Sequence, residues 1–150
     1  MVLQRITIDS ILKDKSSSVY FVNDSDTVIT AVRVMNEHSI GSVMVASQNR
    51  FVGIFTERDV LNRVLSRKLN PDKILLKEVM TKDFLSIEEN YTLEETMRLM
   101  TQSRVRHLPV FGDSKLIGMV SIGDVTRRLL EINQNEAESL RQYLFSSYSG

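Results

Sequence analysis

The chain has no cysteine and no tryptophan, just two prolines and six glycines, and its 19 basic side chains are balanced by 19 acidic ones. Without cysteine there can be no disulfide, thiolate metal site or thiol nucleophile, a pattern that suits a reducing compartment. Zero net charge provides no whole-molecule field for a polyanion or an anionic membrane, so nucleic acid and membrane surfaces rank low as partners. No apolar run approaches the roughly 20 residues that span a bilayer. The opening Met1-Val-Leu-Gln-Arg-Ile-Thr also lacks the basic-then-apolar layout of a secretion signal. A soluble, cytoplasmic protein is therefore expected. What is present, 42% hydrophobic and 25% charged residues over 150 positions, is enough for one compact domain or two very small ones.

An internal repeat bears on that choice. At an offset of 65, Val19 to Ser66 lies on Phe84 to Glu131 without a gap, with Thr27/Thr92, Arg33/Arg98, Met35/Met100, Val45/Val110, Gly53/Gly118, Asp59/Asp124, Val60/Val125, Arg63/Arg128 and Leu65/Leu130 identical. Those identities are persuasive because matched positions fall into the same elements in the same order. Upstream, Ile11-Leu12 matches Val79-Met80 at an offset of 68, so Ser16-Ser17-Ser18 marks a short local insertion.

Each copy opens with an apolar strand, Val19 to Val22 or Phe84 to Ile87. Thr27 and Thr92 follow as helix N-caps, with Glu95 completing a capping box in the second copy. Val28, Ala31, Val32 and Met35 recur at helical spacing, as do Leu93, Thr96, Met97 and Met100. Two β-rich runs then form a hairpin in each copy, Val43 to Ala46 with Phe51 to Phe55 and Leu108 to Phe111 with Leu116 to Val120, turning at Ser47-Gln48-Asn49 and Gly112-Asp113-Ser114. A second helix carries Val60, Val64 and Leu65, or Val125, Leu129 and Leu130.

The expected fold is α/β of the α+β kind, two β-α-β-β-α repeats packed about a pseudo-twofold axis. A three-stranded unit of about 55 residues cannot cover its own faces and edges. The divisions are an N-terminal segment at 1–18, repeat 1 at 19–66, a linker and lead-in at 67–83, repeat 2 at 84–131, and a C-terminal helix and tail at 132–150. Within the linker, Asn70-Pro71-Asp72 reads as an N-cap with proline in the first helical position. Ala137, Leu140, Arg141 and Leu144 suggest a further amphipathic helix, and residues 146–150 a frayed tail. Residues 1–12 are expected to close over the opposite end.

The sharpest functional signal is Gly53-Ile54-Phe55-Thr56-Glu57-Arg58-Asp59, which recurs as Gly118-Met119-Val120-Ser121-Ile122-Gly123-Asp124. Each places a hydroxyl and a carboxylate three residues apart where a strand meets a helix. One reading is structural, an N-cap with an acidic third residue, worth ~1 kcal/mol to the helix start. The other is functional: a carboxylate can accept both hydroxyls of a ribose cis-diol, while free N–H groups at the helix start face sugar and phosphate.

On these residues the chain resembles a tandem pair of cystathionine-β-synthase (CBS) domains, a Bateman module of the stand-alone prokaryotic type. The resemblance covers roughly residues 8–131, and Arg104-Val105-Arg106-His107-Leu108-Pro109-Val110 is similar to the family's lead into a strand. It implies a regulatory, non-enzymatic module that binds an adenosine nucleotide in the cleft between the copies. Thr56 with Asp59, and Ser121 with Asp124, would hold ribose. Ile54 and Met119 would flank adenine, Ser16 and Thr81 would line the floor, and phosphates would lie towards Arg58, Arg106 and His107. AMP is the first expectation, with ATP, ADP and NAD(H) behind it, NAD(H) as an alternative that would lie across both half-sites. S-adenosylmethionine would leave the basic groups without phosphate, and NADP would set its 2′-phosphate against a carboxylate. The copies differ at Arg106-His107 against Gly41-Ser42 and at Glu57-Arg58 against Ile122-Gly123, so the two sites should differ in affinity.

Other chemistry finds little support. His38 is the one companion histidine to His107, and no Gly-x-Ser-x-Gly, Walker A or histidine-glutamate zinc motif occurs. No metal and no catalytic cofactor are expected. The basic stretches Arg63 to Lys68 and Arg127-Arg128 read as solvated helix faces. Exposed helices would form a homodimer and contact a client protein. The competing class is a ligand-free dimerisation scaffold in which the aspartates only cap helices.

Overall fold

A computed structural model describes residues 5–14 and 19–149, with side chains described at 5–13, 19–134, 138 and 142. The element order is α1 (Ile8–Asp14), β1 (Phe21–Asn23), α2 (Val28–His38), β2 (Ser42–Ser47), β3 (Arg50–Thr56), α3 (Glu57–Asp59) continuing as a wider-turned helix over Val60–Leu65, α4 (Leu76–Val79), β4 (Ile87–Glu88), α5 (Leu93–Ser103), β5 (His107–Gly112), β6 (Lys115–Ser121) and α6 (Ile122–Ser149). Two three-stranded sheets result, ordered β1-β2-β3 and β4-β5-β6, so the fold is mixed α and β, with the β-α-β-β-α order twice. The chain divides into two compact units, one of Ser17–Ser86 with Lys115–Gly118, the other of Met1–Ser16, Ile87–Ser114 and Met119–Gly150.

In the first unit β1 runs parallel to β2, and β2 pairs antiparallel with β3 from Ser42 opposite Thr56 to Ser47 opposite Arg50. A register shift at Val45/Ala46 leaves Val52 as the extra residue of a bulge. The hairpin turns through Gln48 and Asn49, both left-handed at φ 49° and 64°, and its counterpart in the second unit turns through Asp113 and Ser114 at the same two angles. Two consecutive left-handed residues are what the right-handed twist of flanking strands requires of a two-residue loop.

Helices α2 and α5 start and stop alike. Thr27 and Thr92 are their N-caps. Thr92 Oγ1 accepts the Glu95 N–H at 3.1 Å, so one half of the expected capping box forms, whereas the Thr27 hydroxyl meets that of Thr30. Both helices end in a left-handed residue, Ser39 or Arg104, and the next N–H returns to the helix, Ile40 to Met35 O at 3.0 Å and Val105 to Met100 O at 3.1 Å.

Each unit's core is completed by the segment that leads into the other repeat. Val22, Val28, Ala31, Met35, Val43, Val45, Phe55 and Val64 pack with Leu76, Val79 and Met80. Ile87, Leu93, Met100, Leu108, Val110, Val120 and Val125 pack with Ile8 and Ile11. The backbone repeats the exchange bond for bond. Leu76 N–H donates to Asp26 O at 2.9 Å and Ile8 N–H to Tyr91 O at 2.8 Å. Val28 N–H reaches Ile74 O at 3.0 Å and Leu93 N–H reaches Ile6 O at 2.8 Å. The offset of 68 seen upstream is therefore a structural equivalence.

Several expectations need correction. The opening strands are shorter than their apolar runs: pairing begins at Phe21 in one and Ile87 in the other, where β2 and β5 present ladder partners. Asn70-Pro71-Asp72 does not open a helix. The Asn70 side chain accepts the Asp72 N–H at 2.9 Å in a single turn, and the Pro71 and Ile74 carbonyls, which a helix would use internally, accept from Ile29 and Val28. At the other end α6 is one continuous helix through Ser149, replacing the separate C-terminal helix and frayed tail; no glycine or proline interrupts it after Gly123.

Two outcomes are expected. Ser114→Gly removes a side chain from a left-handed position, and the chain should gain about 0.5–1 kcal/mol in urea unfolding. At the start of α1 the Thr7 hydroxyl donates to Asp9 Oδ1 and holds that carboxyl below its usual range, against a smaller opposing effect of burial and with help from the Lys13 ammonium. A carboxyl depressed in the folded state stabilises the protein above its unfolded pKa, and that contribution fades as pH falls through the folded value. Asp9→Asn should therefore melt below the parent at pH 7, with the gap closing below about pH 4.

Candidate functional site

Both copies of the hydroxyl-x-x-carboxylate motif sit where a hairpin's last strand turns into a helix, β3 into α3 and β6 into α6. Thr56 is extended at φ −121°, ψ 166°. Its Oγ1 accepts the Asp59 N–H at 3.3 Å, while Asp59 Oδ2 accepts the Thr56 N–H at 2.9 Å. Ser121 and Asp124 repeat the exchange, with Ser121 N–H to Asp124 Oδ2 at 2.9 Å and Asp124 N–H to Ser121 Oγ at 3.2 Å. Both are closed capping boxes, which satisfy two of the N–H groups orphaned at a helix start.

The helix starts are less open than expected. The first helical N–H is also donated, Glu57 to Gly41 O at 3.0 Å and Ile122 to Arg106 O at 2.9 Å. With the third N–H in the capping box, any phosphate must rely more on side chains than on the helix terminus. The second carboxylate oxygens face guanidinium groups: Asp59 Oδ1 lies 3.5 Å from Arg63 Nε, and Asp124 Oδ1 lies 3.6 Å from Arg127 Nη1. Both carboxylates are largely buried, at 13% and 9% side-chain exposure.

The other singled-out residues divide by unit. With Thr56 and Asp59 go exposed Arg58, buried Ile54, and half-buried Thr81, which exchanges backbone bonds with Ile54: Ile54 N–H to Thr81 O at 3.0 Å and Thr81 N–H to Ile54 O at 2.9 Å. A Cβ on Gly53 would lie 3.0 Å from the Thr81 carbonyl and 2.6 Å from Met80 Sδ, so this glycine admits a neighbouring segment of chain. With Ser121 and Asp124 go half-buried Met119, exposed Arg106 and half-buried His107, the first residue of β5. Ser16 lies outside the described residues.

Two residues near the site were not among the candidates. Ser42, the counterpart of His107, is buried at 5% exposure and pairs with Thr56 across the ladder. Arg63 is not a solvated helix face: its Nη1 donates to Val79 O at 3.2 Å and to Met80 O at 3.0 Å. The available signal was its spacing, four residues after Asp59, together with the identity Arg63/Arg128.

A model of the CBS domain matches residues 10–66 and, a second time, residues 76–131. The chain belongs to the CBS-domain family. It carries two such domains in tandem, the arrangement called a Bateman module. The mitochondrial CBS domain-containing protein CBSX3 of Arabidopsis thaliana is 32% identical over 151 residues, covering 95% of this chain and 73% of that one. CBS domain-containing protein YhcV of Bacillus subtilis is 29% identical, covering 88% and 90%. A solved CBS-domain containing protein from Agrobacterium tumefaciens superposes with a TM-score of 0.76 at 31% identity, covering 81% of this chain and 91% of that one. CBS pairs of this kind are typically regulatory, ligand-binding modules. Among the described residues, no helix is long and apolar enough to cross a membrane.

The capping boxes predict a graded response to substitution. Asp59→Ala and Asp124→Ala should each lose about 1 kcal/mol in urea unfolding, since each removes the acceptor of the N-cap N–H, while the backbone N–H of residue 59 or 124 keeps its hydroxyl partner. Asp59→Asn and Asp124→Asn retain an oxygen acceptor and should lose less.

Proposed function

We propose that this CBS pair is a non-enzymatic sensor of adenosine nucleotides, with AMP the first ligand and ATP, ADP and NAD(H) behind it. The observation that supports this most directly is the state of the two aspartates. An ionised carboxylate offers about four lone-pair directions; each capping box engages Oδ2, and Asp59 Oδ1 stands outside the box beside the Arg63 guanidinium and next to the Thr56 hydroxyl. A ribose cis-diol needs two adjacent acceptors of that kind. Arg58 would serve phosphate in the first half-site and Arg106 with His107 in the second, so the half-sites would differ in affinity. The ligand acts by favouring one geometry of the repeats, to an extent limited by its differential affinity for the states. We place the protein in the cytoplasm as a homodimer acting on a client protein. The exposed Leu61, Leu65 and Leu130 supply apolar helix surface for self-association.

A second reading, the ligand-free scaffold, draws on the same capping boxes, because a carboxylate that caps a helix already has a structural role. Calorimetric titration with AMP, ADP, ATP and NAD separates the two. At least one nucleotide should bind the parent chain, and Asp59→Asn or Asp124→Asn should weaken it about tenfold or more by removing a charged acceptor, with the thermal midpoint little changed. A folded protein that binds no adenosine compound at millimolar concentration leaves the scaffold; turnover of a nucleotide would make it an enzyme.

A further inference from the structure

The geometry points to Arg63 as the positioning residue of the first half-site, tying the Asp59 carboxylate to the segment that carries Thr81. As a statement about a ligand site this rests on the nucleotide reading above; as a statement about the tie it stands on the contacts themselves. One guanidinium approaches three oxygens, with Nε 3.5 Å from Asp59 Oδ1 and Nη1 donating to the carbonyls of Val79 and Met80 at 3.2 and 3.0 Å. The next residue, Thr81, is bonded through both its N–H and its C=O to Ile54, two residues before Thr56. Thr56 closes the ring by its reciprocal bonds with Asp59. Asp59, Arg63, Met80, Thr81, Ile54 and Thr56 thus form one hydrogen-bonded and ion-paired frame, with Gly53 letting Met80 and Thr81 come close.

The frame has a mechanical consequence. Asp59 Oδ1 is the oxygen outside the capping box, so a diol that engages it bears on the Arg63 contact, and Arg63 in turn holds the carbonyls next to Thr81. Occupancy of the first half-site would then be felt in residues 79–81. The wider turn of the helix over Val60–Leu65 contains Arg63, and such turns recur at functional sites. In the second half-site another arginine also stands beside the carboxylate. Asp124 Oδ1 pairs with Arg127, whose side chain is 71% exposed, and an exposed ion pair of that kind holds little.

The test uses the full ¹⁵N-labelled chain and its Arg63→Ala, Arg63→Lys and Arg127→Ala variants. Without ligand, amide exchange at Thr81 should be about tenfold faster or more in both Arg63 variants, which lose charge-assisted bonds, and unchanged in Arg127→Ala. Lysine keeps the charge but cannot fork to three oxygens, so it should not rescue. With AMP, the Thr56 and Asp59 amides report the first half-site, and those of Ser121 and Asp124 the second. Both Arg63 variants should weaken the first about tenfold and leave the second within about twofold. Unchanged Thr81 exchange in Arg63→Ala, full rescue by lysine, or equal weakening at both half-sites would each overturn the assignment. If AMP moves neither set of amides in the parent chain, the nucleotide reading falls, and Thr81 exchange still decides the tie.

Discussion

An amide hydrogen presented where a strand turns into a helix must find an acceptor, and in both halves of this chain an aspartate three residues on supplies it. Asp59 and Asp124 each take the N–H of the hydroxyl residue at 2.9 Å, and that hydroxyl takes the aspartate's own N–H. Hydroxyl and carboxylate are thereby fixed to each other before any ligand arrives, which lowers the ordering a ligand must impose. The structural and functional readings of the motif are compatible, because a carboxylate has two oxygens and a capping box engages one.

The second constraint lies in the exchange of lead-in segments. Leu76, Val79 and Met80 complete the core that holds β1, β2 and β3, and Ile8 and Ile11 complete the core that holds β5. A small three-stranded unit has too little chain to bury its own sheet. Here the deficit is met by helices whose backbones are pinned by equivalent bonds, Leu76 to Asp26 and Ile8 to Tyr91. In the first unit this arrangement also carries Met80 and Thr81 against Gly53 and Ile54, so the element that closes the core also lines the candidate site.

The two half-sites share a capping box and differ in what faces the second carboxylate oxygen. Arg63 reaches from Asp59 to two carbonyls within the same unit, whereas Arg127 projects largely into solvent beside Asp124. Phosphate-facing candidates are distributed just as unevenly, Arg58 with one and Arg106 with His107 with the other. Both carboxylates are largely buried, and the exposed partner is the Arg127 guanidinium.

Much of this was legible from residue types alone. Apolar spacing and the offset of 65 located both hairpins, the helices after Thr27 and Thr92, and the two strand-to-helix junctions, because these depend on local period and capping chemistry. The misreadings share a cause. Phe84 to Ser86 look like strand, Asn70-Pro71 looks like a helix start, and Arg63 looks like a solvated face, until a partner distant in sequence is in place: the ladder groups of β5, the N–H groups of Val28 and Ile29, and the carbonyls of Val79 and Met80. By itself the sequence determined the family, the repeat, and the pairing of each hydroxyl with its carboxylate, since those bonds span three residues. Tertiary structure decided that Arg63, within helical reach of Asp59, is also held by the carbonyls of Val79 and Met80, because those bonds need the chain to return from residue 79 to residue 63.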